Sequence, residues 1–228
     1  MIVILEFLGT NCQKDMRRAY DFVQVNRACK ISSVVVEHTQ KSLPKETSLV
    51  VIPGGFSYGD YWRSGCMASQ TPIMRSVCAY AHNGGRVLGI CNGFQILTES
   101  KLLEGTLMKN KGLKFIAKSQ ELQVANNDNA FLKDYSPYEK IVLPIAHGEG
   151  NFYAPKETLE RLEENKQVLL RYSDDVNGSL NHIAGICNKD KNVFALMPHP
   201  ERAVGINQSL QTPSIDGVRM LLSLLEAY

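Results

Sequence analysis

Cys91 stands between two glycines in the run Gly89-Ile90-Cys91-Asn92-Gly93, where the short aliphatic segment Gly85 to Ile90 gives way to the helix-like Phe94 to Glu99. A nucleophile between glycines at a strand-to-helix turn is a nucleophile elbow: the turn pushes the side chain into a cleft, and the glycines leave room for the chain to double back. The competing reading is a small buried thiol packed beside Ile90, the common fate of a free cysteine. A thiol nucleophile needs a base, and the base needs an orienting group. Met197-Pro198-His199-Pro200-Glu201-Arg202 supplies both just after an apolar run. In extended backbone, residues two apart project to the same side, which pairs His199 with Glu201. Pro198 and Pro200 fix φ and keep this segment out of a helix or a central strand. A carboxylate on one imidazole nitrogen favours the protonated ring, and that ring is expected to lower the thiol pKa from about 8.5. The alternative is a surface proline-rich turn with a solvated Glu201.

Acyl transfer also requires donors for an oxyanion. In elbow enzymes one is the N–H after the nucleophile, here that of Asn92. The loop Pro53-Gly54-Gly55-Phe56-Ser57-Tyr58-Gly59-Asp60 follows an aliphatic run and can turn a second N–H, of Gly54 or Gly55, toward an oxygen. It lacks the patterns G-x-G-x-x-G and G-K-[ST] of phosphate loops, which leaves a plain turn as its competitor. His147-Gly148-Glu149-Gly150 is a third candidate, able to border a pocket and present an acceptor to an amine; by itself it reads as a loop. His38 and His82 read as solvated surface residues, His182 as a strand start, and Cys12 and Cys66 as loop residues with a secondary site-lining role.

The elements that position these groups follow from periodicity. Ile2 to Phe7 reads as a strand, followed by a helix beginning near Asn11 with Thr10 or Asn11 as its cap. Met16, Ala19, Tyr20, Phe22 and Val23 form that helix's apolar face. Val34 to Val36 and Leu49 to Ile52 are continuous aliphatic runs, the mark of strands buried on both faces of a parallel sheet. Thr71-Pro72 opens a helix and Gly84-Gly85 ends it. The alternation implies an α/β fold with a doubly wound, mostly parallel sheet and sites at the carboxyl ends of its strands. Residues 113–125 and 140–153 alternate apolar and polar positions, as flanking antiparallel strands do. His182–Cys187 and Val193–Met197 form a hairpin over the polar loop 188–192. Ser214–Ala227 is a closing helix with Val218, Leu221, Leu222 and Leu225 on one face. No internal repeat, linker or low-complexity stretch interrupts the chain, so residues 1–228 are taken as one domain.

Composition narrows the class. The 228 residues are 44% apolar and 21% charged, with net charge +2, which suits a sizeable core and gives no basic stripe for nucleic acid. No run reaches membrane-spanning length, and the first eight residues lack the charged start of a signal peptide. The six cysteines form no C-x-x-C pair, and none has a histidine at ligand spacing. The expectation is therefore six free thiols in a reducing cytoplasm, one of them reactive, and no structural metal.

Taken together, these segments resemble the class I (triad) glutamine amidotransferases over essentially the whole chain. Gly89 to Gln95 matches the class elbow. Gly9-Thr10-Asn11-Cys12 with Asp15, Pro53 to Asp60, Ala146 to Gly150, Asn177-Gly178-Ser179 with Ile183 to Ile186, and Met197 to Arg202 resemble the subfamily of glutaminase subunits of phosphoribosylformylglycinamidine synthase. The chain departs from that pattern at Trp62, where leucine is expected, and at Val176, where proline is. The resemblance implies a flavodoxin-like layering and glutamine as substrate. It implies Cys91 as nucleophile, His199 as base, Glu201 as its orienting group, and Gly54, Gly55 and Asn92 as oxyanion donors. It adds Gln95, with His147, Gly148 and Glu149, as contacts to the amino-acid end of glutamine. It also implies a cytoplasmic purine-biosynthetic complex. A large synthetase subunit there binds ATP, Mg and formylglycinamide ribonucleotide and receives the ammonia; a small third subunit completes the complex, and no cofactor is held by this chain. The rivals are the glutaminase of another synthase or a γ-glutamyl hydrolase, and a non-catalytic regulatory module on the same fold.

Overall fold

The computed structural model describes residues 1–25, 30–205 and 214–225. In chain order the elements are β1 (Ile2–Glu6), α1 (Gln13–Val23), β2 (Ser33–Glu37), β3 (Leu49–Ile52), α2 (Cys66–Ser69), α3 (Pro72–His82), β4 (Arg86–Ile90), α4 (Asn92–Glu99), β5 (Thr106–Met108), β6 (Ile116–Val124), β7 (Lys140–His147), β8 (Asn151–Tyr153), α5 (Lys156–Glu164), β9 (Val168–Tyr172), β10 (Ile183–Cys187), β11 (Val193–Leu196) and α6 (Gly217–Ser223). Nine strands form one sheet in the order β2-β1-β3-β4-β11-β10-β9-β6-β7, and β5 pairs with β8 apart from it. The first five strands of that order run parallel, and from β11 outward every pairing is antiparallel. The chain thus has the expected α/β sheet, with its antiparallel strands on one flank.

The strand order reverses around β1, which lies between β2 and β3. The crevice at the carboxyl ends of strands beside such a switch is where open α/β sheets bind ligands. Four segments meet there: the loop after β1, the loop after β3, the turn after β4 and the segment after β11. β1 and β3 hold them rigidly, because Ile2 to Leu5 and Leu49 to Ile52 are fully buried. The loops after β1 and β3 are laced together by Phe56 N–H donating to the Gly9 carbonyl (3.0 Å) and Cys12 N–H to the Gly54 carbonyl (3.2 Å).

Several local expectations change in the folded chain. Helix α1 starts at Gln13 with Cys12 as its N-cap and no side-chain cap. Thr10 instead accepts the Phe7 N–H (2.9 Å) within its own turn. β2 is an edge strand, so Val34 and Val35 are half-buried rather than enclosed on both faces. α6 buries Met220 and Leu221 and is followed by buried Leu224 and Leu225, while Val218 and Leu222 are half-buried; the face is turned from the one read off the sequence. α5 and β9 have no counterpart in the sequence reading. α5 buries Leu162 and half-buries Leu159, and β9 inserts between β10 and β6. His38 is half-buried rather than solvated, with its ring 6.4 Å from that of Phe7 and its Nδ1 2.8 Å from the Tyr58 hydroxyl. Cys29 and residues 226–228 lie outside the described residues. Cys12, Cys66, Cys78, Cys91 and Cys187 are free thiols. Among the described residues no helix is long and apolar enough to cross a membrane.

Candidate active site

Cys91 occupies the turn between β4 and α4 with φ 52° and ψ −105°, a backbone region costly to a residue with a Cβ and common at functional sites. Its flanking glycines are required by space. A Cβ on Gly93 would lie 2.0 Å from the Ile52 carbonyl oxygen, and one on Gly89 would meet Leu97 Cδ1 at 2.5 Å. The glycines let α4 press onto β3 and β4, and this packing holds Cys91 in its strained turn. The side chain is 6% exposed.

His199 and Glu201 are brought to the same place from β11. His199 donates its backbone N–H to the Pro144 carbonyl on β7 (2.8 Å), and its ring Nδ1 lies 2.6 Å from Glu201 Oε1. Both residues are buried, His199 at 1% and Glu201 at 0% exposure. The pairing expected from extended backbone is made through a 3₁₀ turn, Pro200–Arg202. A carboxylate only accepts here, so Nδ1 donates to Glu201 and Nε2 is the ring nitrogen left for proton exchange. Nε2 is buried without a hydrogen-bond partner. A buried basic nitrogen left open beside a thiol is the arrangement a general base requires.

Gly54 binds the groups together. A Cβ placed on it would lie 2.8 Å from His199 Cε1, 3.2 Å from Cys12 Sγ and 3.4 Å from Cys91 Cβ. Gly55 passes against the loop after β1, where its own Cβ would lie 2.7 Å from Thr10 Cα. The Asn92 N–H bonds toward the Cys91 thiol, and the Asn92 side chain accepts the Ser57 N–H (3.1 Å). Gly54 and Asn92 thus lie against Cys91, and Gly55 lines the cavities that open onto it.

The electrostatics differ from the expectation. Burial, then the charges of Cys12 and Glu201, push the Cys91 pKa far above its ordinary value; Arg202 and the Asn92 N–H oppose this. The thiol points at the Ala146 carbonyl (3.6 Å). Cys12 is pushed up to about 12 by burial and by Glu201, although Arg202 Nη2 donates to its Sγ at 3.1 Å. His147 is lowered to about 4 by burial and then by the charge of His199. Its Nδ1 lies 3.0 Å from Asn110 Oδ1, so His147 stays neutral at physiological pH.

Two small cavities open onto Cys91. One, of about 180 Å³, runs past Cys12, His199 and Arg202. The other, of about 200 Å³, runs past Gln95, Gly148 and Glu149 and also reaches Asp60 and Ser64. Larger surface clefts, such as one of about 500 Å³ beside Tyr172 and His182, hold none of the nominated residues. Gln95 lines its cavity with both ends of its amide occupied: it accepts from Asn92 Nδ2 (2.8 Å) and donates to the Glu149 carbonyl (2.7 Å). Sequence reasoning missed Asp60, Ser64 and Arg202 as site-lining groups. Each lies in or beside a segment it had singled out, yet their types alone are those of ordinary turn residues. Cys12, His199 and Glu201 place three donor atoms within 4.8 Å of one another. A metal there would have to displace the His199–Glu201 hydrogen bond and sit beside the Arg202 guanidinium, so the donor set suits proton transfer better than a cation.

Residues 1–220 match the family model of the CobB/CobQ-like glutamine amidotransferase domain. The chain is 51% identical over 224 residues to the phosphoribosylformylglycinamidine synthase subunit PurQ of Wolinella succinogenes, covering 98% of each protein. It is 49% identical to the same subunit of Helicobacter hepaticus over 98% of this chain and 96% of that one. The solved PurLQS structure from Thermotoga maritima includes a chain that superposes with a TM-score of 0.87 at 38% identity, covering 99% of this chain and 97% of that one. The glutaminase domain of Trypanosoma brucei CTPS, at 14% identity and a TM-score of 0.63, shares the fold, with 99% and 92% covered. A thiol elbow, a histidine held by a buried glutamate and this breadth of similarity lead to one assignment: the chain belongs to the CobB/CobQ-like glutamine amidotransferase family.

Proposed function

We propose that this chain is the glutaminase subunit of a phosphoribosylformylglycinamidine synthase. It hydrolyses glutamine to glutamate and delivers the ammonia to a synthetase subunit that makes formylglycinamidine ribonucleotide from formylglycinamide ribonucleotide. The observation that carries the reading is the buried His199–Glu201 pair, with His199 Nε2 left open beside the strained Cys91 elbow. The near full-length likeness to PurQ subunits supports the choice of synthase.

In this reading His199 Nε2 takes the Cys91 proton and the thiolate attacks the side-chain amide carbon of glutamine. The Asn92 N–H and an N–H of Gly54 or Gly55 hold the oxyanion. His199 then protonates the departing nitrogen, ammonia leaves, and a γ-glutamyl thioester remains on Cys91. His199 next draws a proton from water, which attacks the thioester and releases glutamate. Glu201 fixes the tautomer of His199 and stabilises its protonated form. Residues 1–228 act as one cytoplasmic glutamine amidotransferase domain. The chain itself binds neither cofactor nor metal; ATP and Mg belong to the synthetase subunit. The partners are that large subunit and a small third subunit, as in the PurLQS assembly. The test is glutamate formation from glutamine by the purified chain, with and without the synthetase subunits, with Cys91→Ala as blank. Turnover that rises with the partners and vanishes in the blank is expected. Equal glutamate formation in the blank would remove Cys91 from the mechanism.

A further inference from the structure

Glutamine has two ends. Its amide must reach Cys91, and its α-carbon then lies deeper along whichever cavity receives it. The cavity of about 200 Å³ that Cys91, Phe56 and Phe115 line is also lined by two acidic residues, Asp60 and Glu149, and by Ser64. The Ser64 hydroxyl donates to Glu149 Oε2 at 2.7 Å and is also within hydrogen-bonding range of the Asp60 carboxyl. One hydroxyl proton cannot satisfy both acids. Asp60 Oδ1 is shielded from solvent and has no hydrogen-bond partner, a costly state for a carboxylate oxygen. Among the described residues, no lysine or arginine lines this cavity. Two carboxyl groups on one cavity, one with an orphaned oxygen and no protein cation to answer them, form a site for a cation brought by the ligand.

The residues nominated earlier for this end of the substrate are engaged elsewhere. Both ends of the Gln95 amide are bonded within the protein, and its donor fixes the backbone carbonyl of Glu149. His147 is tied to Asn110. Both support the wall behind Glu149. Asp60, by contrast, ends a run of three residues with positive φ, Tyr58 (54°), Gly59 (66°) and Asp60 itself (53°), and it lines the cavity with its Oδ1 unpartnered. We propose that Asp60, together with Glu149, receives the α-ammonium group of glutamine and makes the enzyme selective for an α-amino acid amide over a simple amide. This rests on the glutaminase reading above and names the group that reads the amino-acid end of the substrate.

The test is a cycle of two substrates and two enzymes, run on the complete complex with its synthetase subunits. The substrates are glutamine and 4-carbamoylbutanoate, which is glutamine without its α-amino group; the enzymes are wild type and Asp60→Asn. Loss of one charge-assisted contact should raise KM for glutamine by roughly 10- to 100-fold with much less change in kcat. The preference for glutamine over the des-amino amide, as a ratio of kcat/KM values, should shrink by the same factor. An Asp60→Asn enzyme that loses both substrates in equal proportion, or that keeps the wild-type ratio, would overturn the proposal. Glu149→Gln, expected to compress the ratio in the same direction, keeps the test decisive if Asp60→Asn melts at a lower temperature. Wild-type complex that makes no glutamate from glutamine would overturn the glutaminase reading itself, an outcome separate from an unchanged ratio in the variant.

Discussion

Gly54→Ala isolates how closely the site is built. Gly54 does not have a positive φ, so alanine suits its backbone and the substitution tests space alone. The added Cβ would lie 2.8 Å from His199 Cε1 and 3.2 Å from Cys12 Sγ. Relief requires the imidazole, or the loop carrying Gly54, to move by roughly half an ångström. The ring has little freedom, being fixed by Glu201 at Nδ1 and by its backbone bond to Pro144. A displacement of about 1 Å at reacting groups is worth about 100-fold, so half that shift implies a loss in kcat of about 10-fold, or about 1.4 kcal/mol in the barrier. Overpacking adds a stability loss of about 1–3 kcal/mol, which lowers Tm by a few degrees per kcal/mol in a chain of this size. The assay is steady-state glutamate formation by the complex, read beside a thermal melt. Gly84→Ala is the control: the φ there is +83°, but nothing lies within 4 Å of the new Cβ, so it carries backbone strain without touching the site. Wild-type turnover in Gly54→Ala would refute the claim that this glycine sets the approach of His199 to Cys91.

Four further outcomes follow from the same geometry. Glu201→Gln should lower kcat by about 10³- to 10⁴-fold, because an amide cannot enforce the tautomer or stabilise the imidazolium as the carboxylate does; a loss below tenfold would make Glu201 structural. His147, lowered to about 4 by burial and the charge of His199, should show flat ring chemical shifts by NMR from pH 8 to about 5.5, and a midpoint near 6.5 would contradict its burial. In the isolated chain, Cys91 should alkylate with iodoacetamide at pH 8 more slowly than free cysteine, since burial, Cys12 and Glu201 hold its pKa up; mass-mapped labelling faster than free cysteine would contradict the neutral thiol. Asp60 is raised to about 6 by burial and by Glu149, the charged group that faces it, while Ser64 opposes the shift. Its anion is therefore lost as pH falls through about 6, and kcat/KM for glutamine should carry an acidic limb there that is absent in Asp60→Asn; superimposable profiles would remove Asp60 from substrate binding.

The parts of the site legible in the sequence are those imposed by local geometry. Gly89 and Gly93 had to be glycine because helix and strand approach within contact of their α-carbons, and the pattern around Cys91 reports that directly. Pro198 and Pro200 bracket His199 just as plainly, although the pair is closed by a 3₁₀ turn where extended backbone was expected. The parallel half of the sheet was legible because fully buried strands such as β1 and β3 are unbroken aliphatic runs. β9, with its Val168 to Leu170 run, and α5, with Leu159 and Leu162 behind Pro155, carried signals of the same kind that were passed over. Asp60 was not legible: it closes a glycine-containing loop as turn residues do, and only the three-dimensional path brings it to Glu149, 89 positions away. The direction of the Cys91 shift was equally hidden, because it depends on how much water the fold removes, and sequence spacing carries no measure of that.

That direction bears on how such an enzyme is controlled. The groups proposed as the triad are in place but unengaged: His199 is oriented, its Nε2 is open, and the Cys91 Sγ faces the Ala146 carbonyl. Transfer of the thiol proton to His199 would create a thiolate–imidazolium pair, which a dry site stabilises far more than it does a lone thiolate. In the proposed mechanism the thiol must turn from Ala146 toward Nε2 before that proton can move. Rotation becomes favourable when something displaces the contact with Ala146 or supplies charge along the cavity. A glutamine ammonium seated between Asp60 and Glu149 does the second, by neutralising acids on the wall shared with Cys91. Phe56 and Phe115, half exposed with rings 6.3 Å apart, border the same opening. On the proposed mechanism, such an arrangement would keep the nucleophile protonated until glutamine is bound.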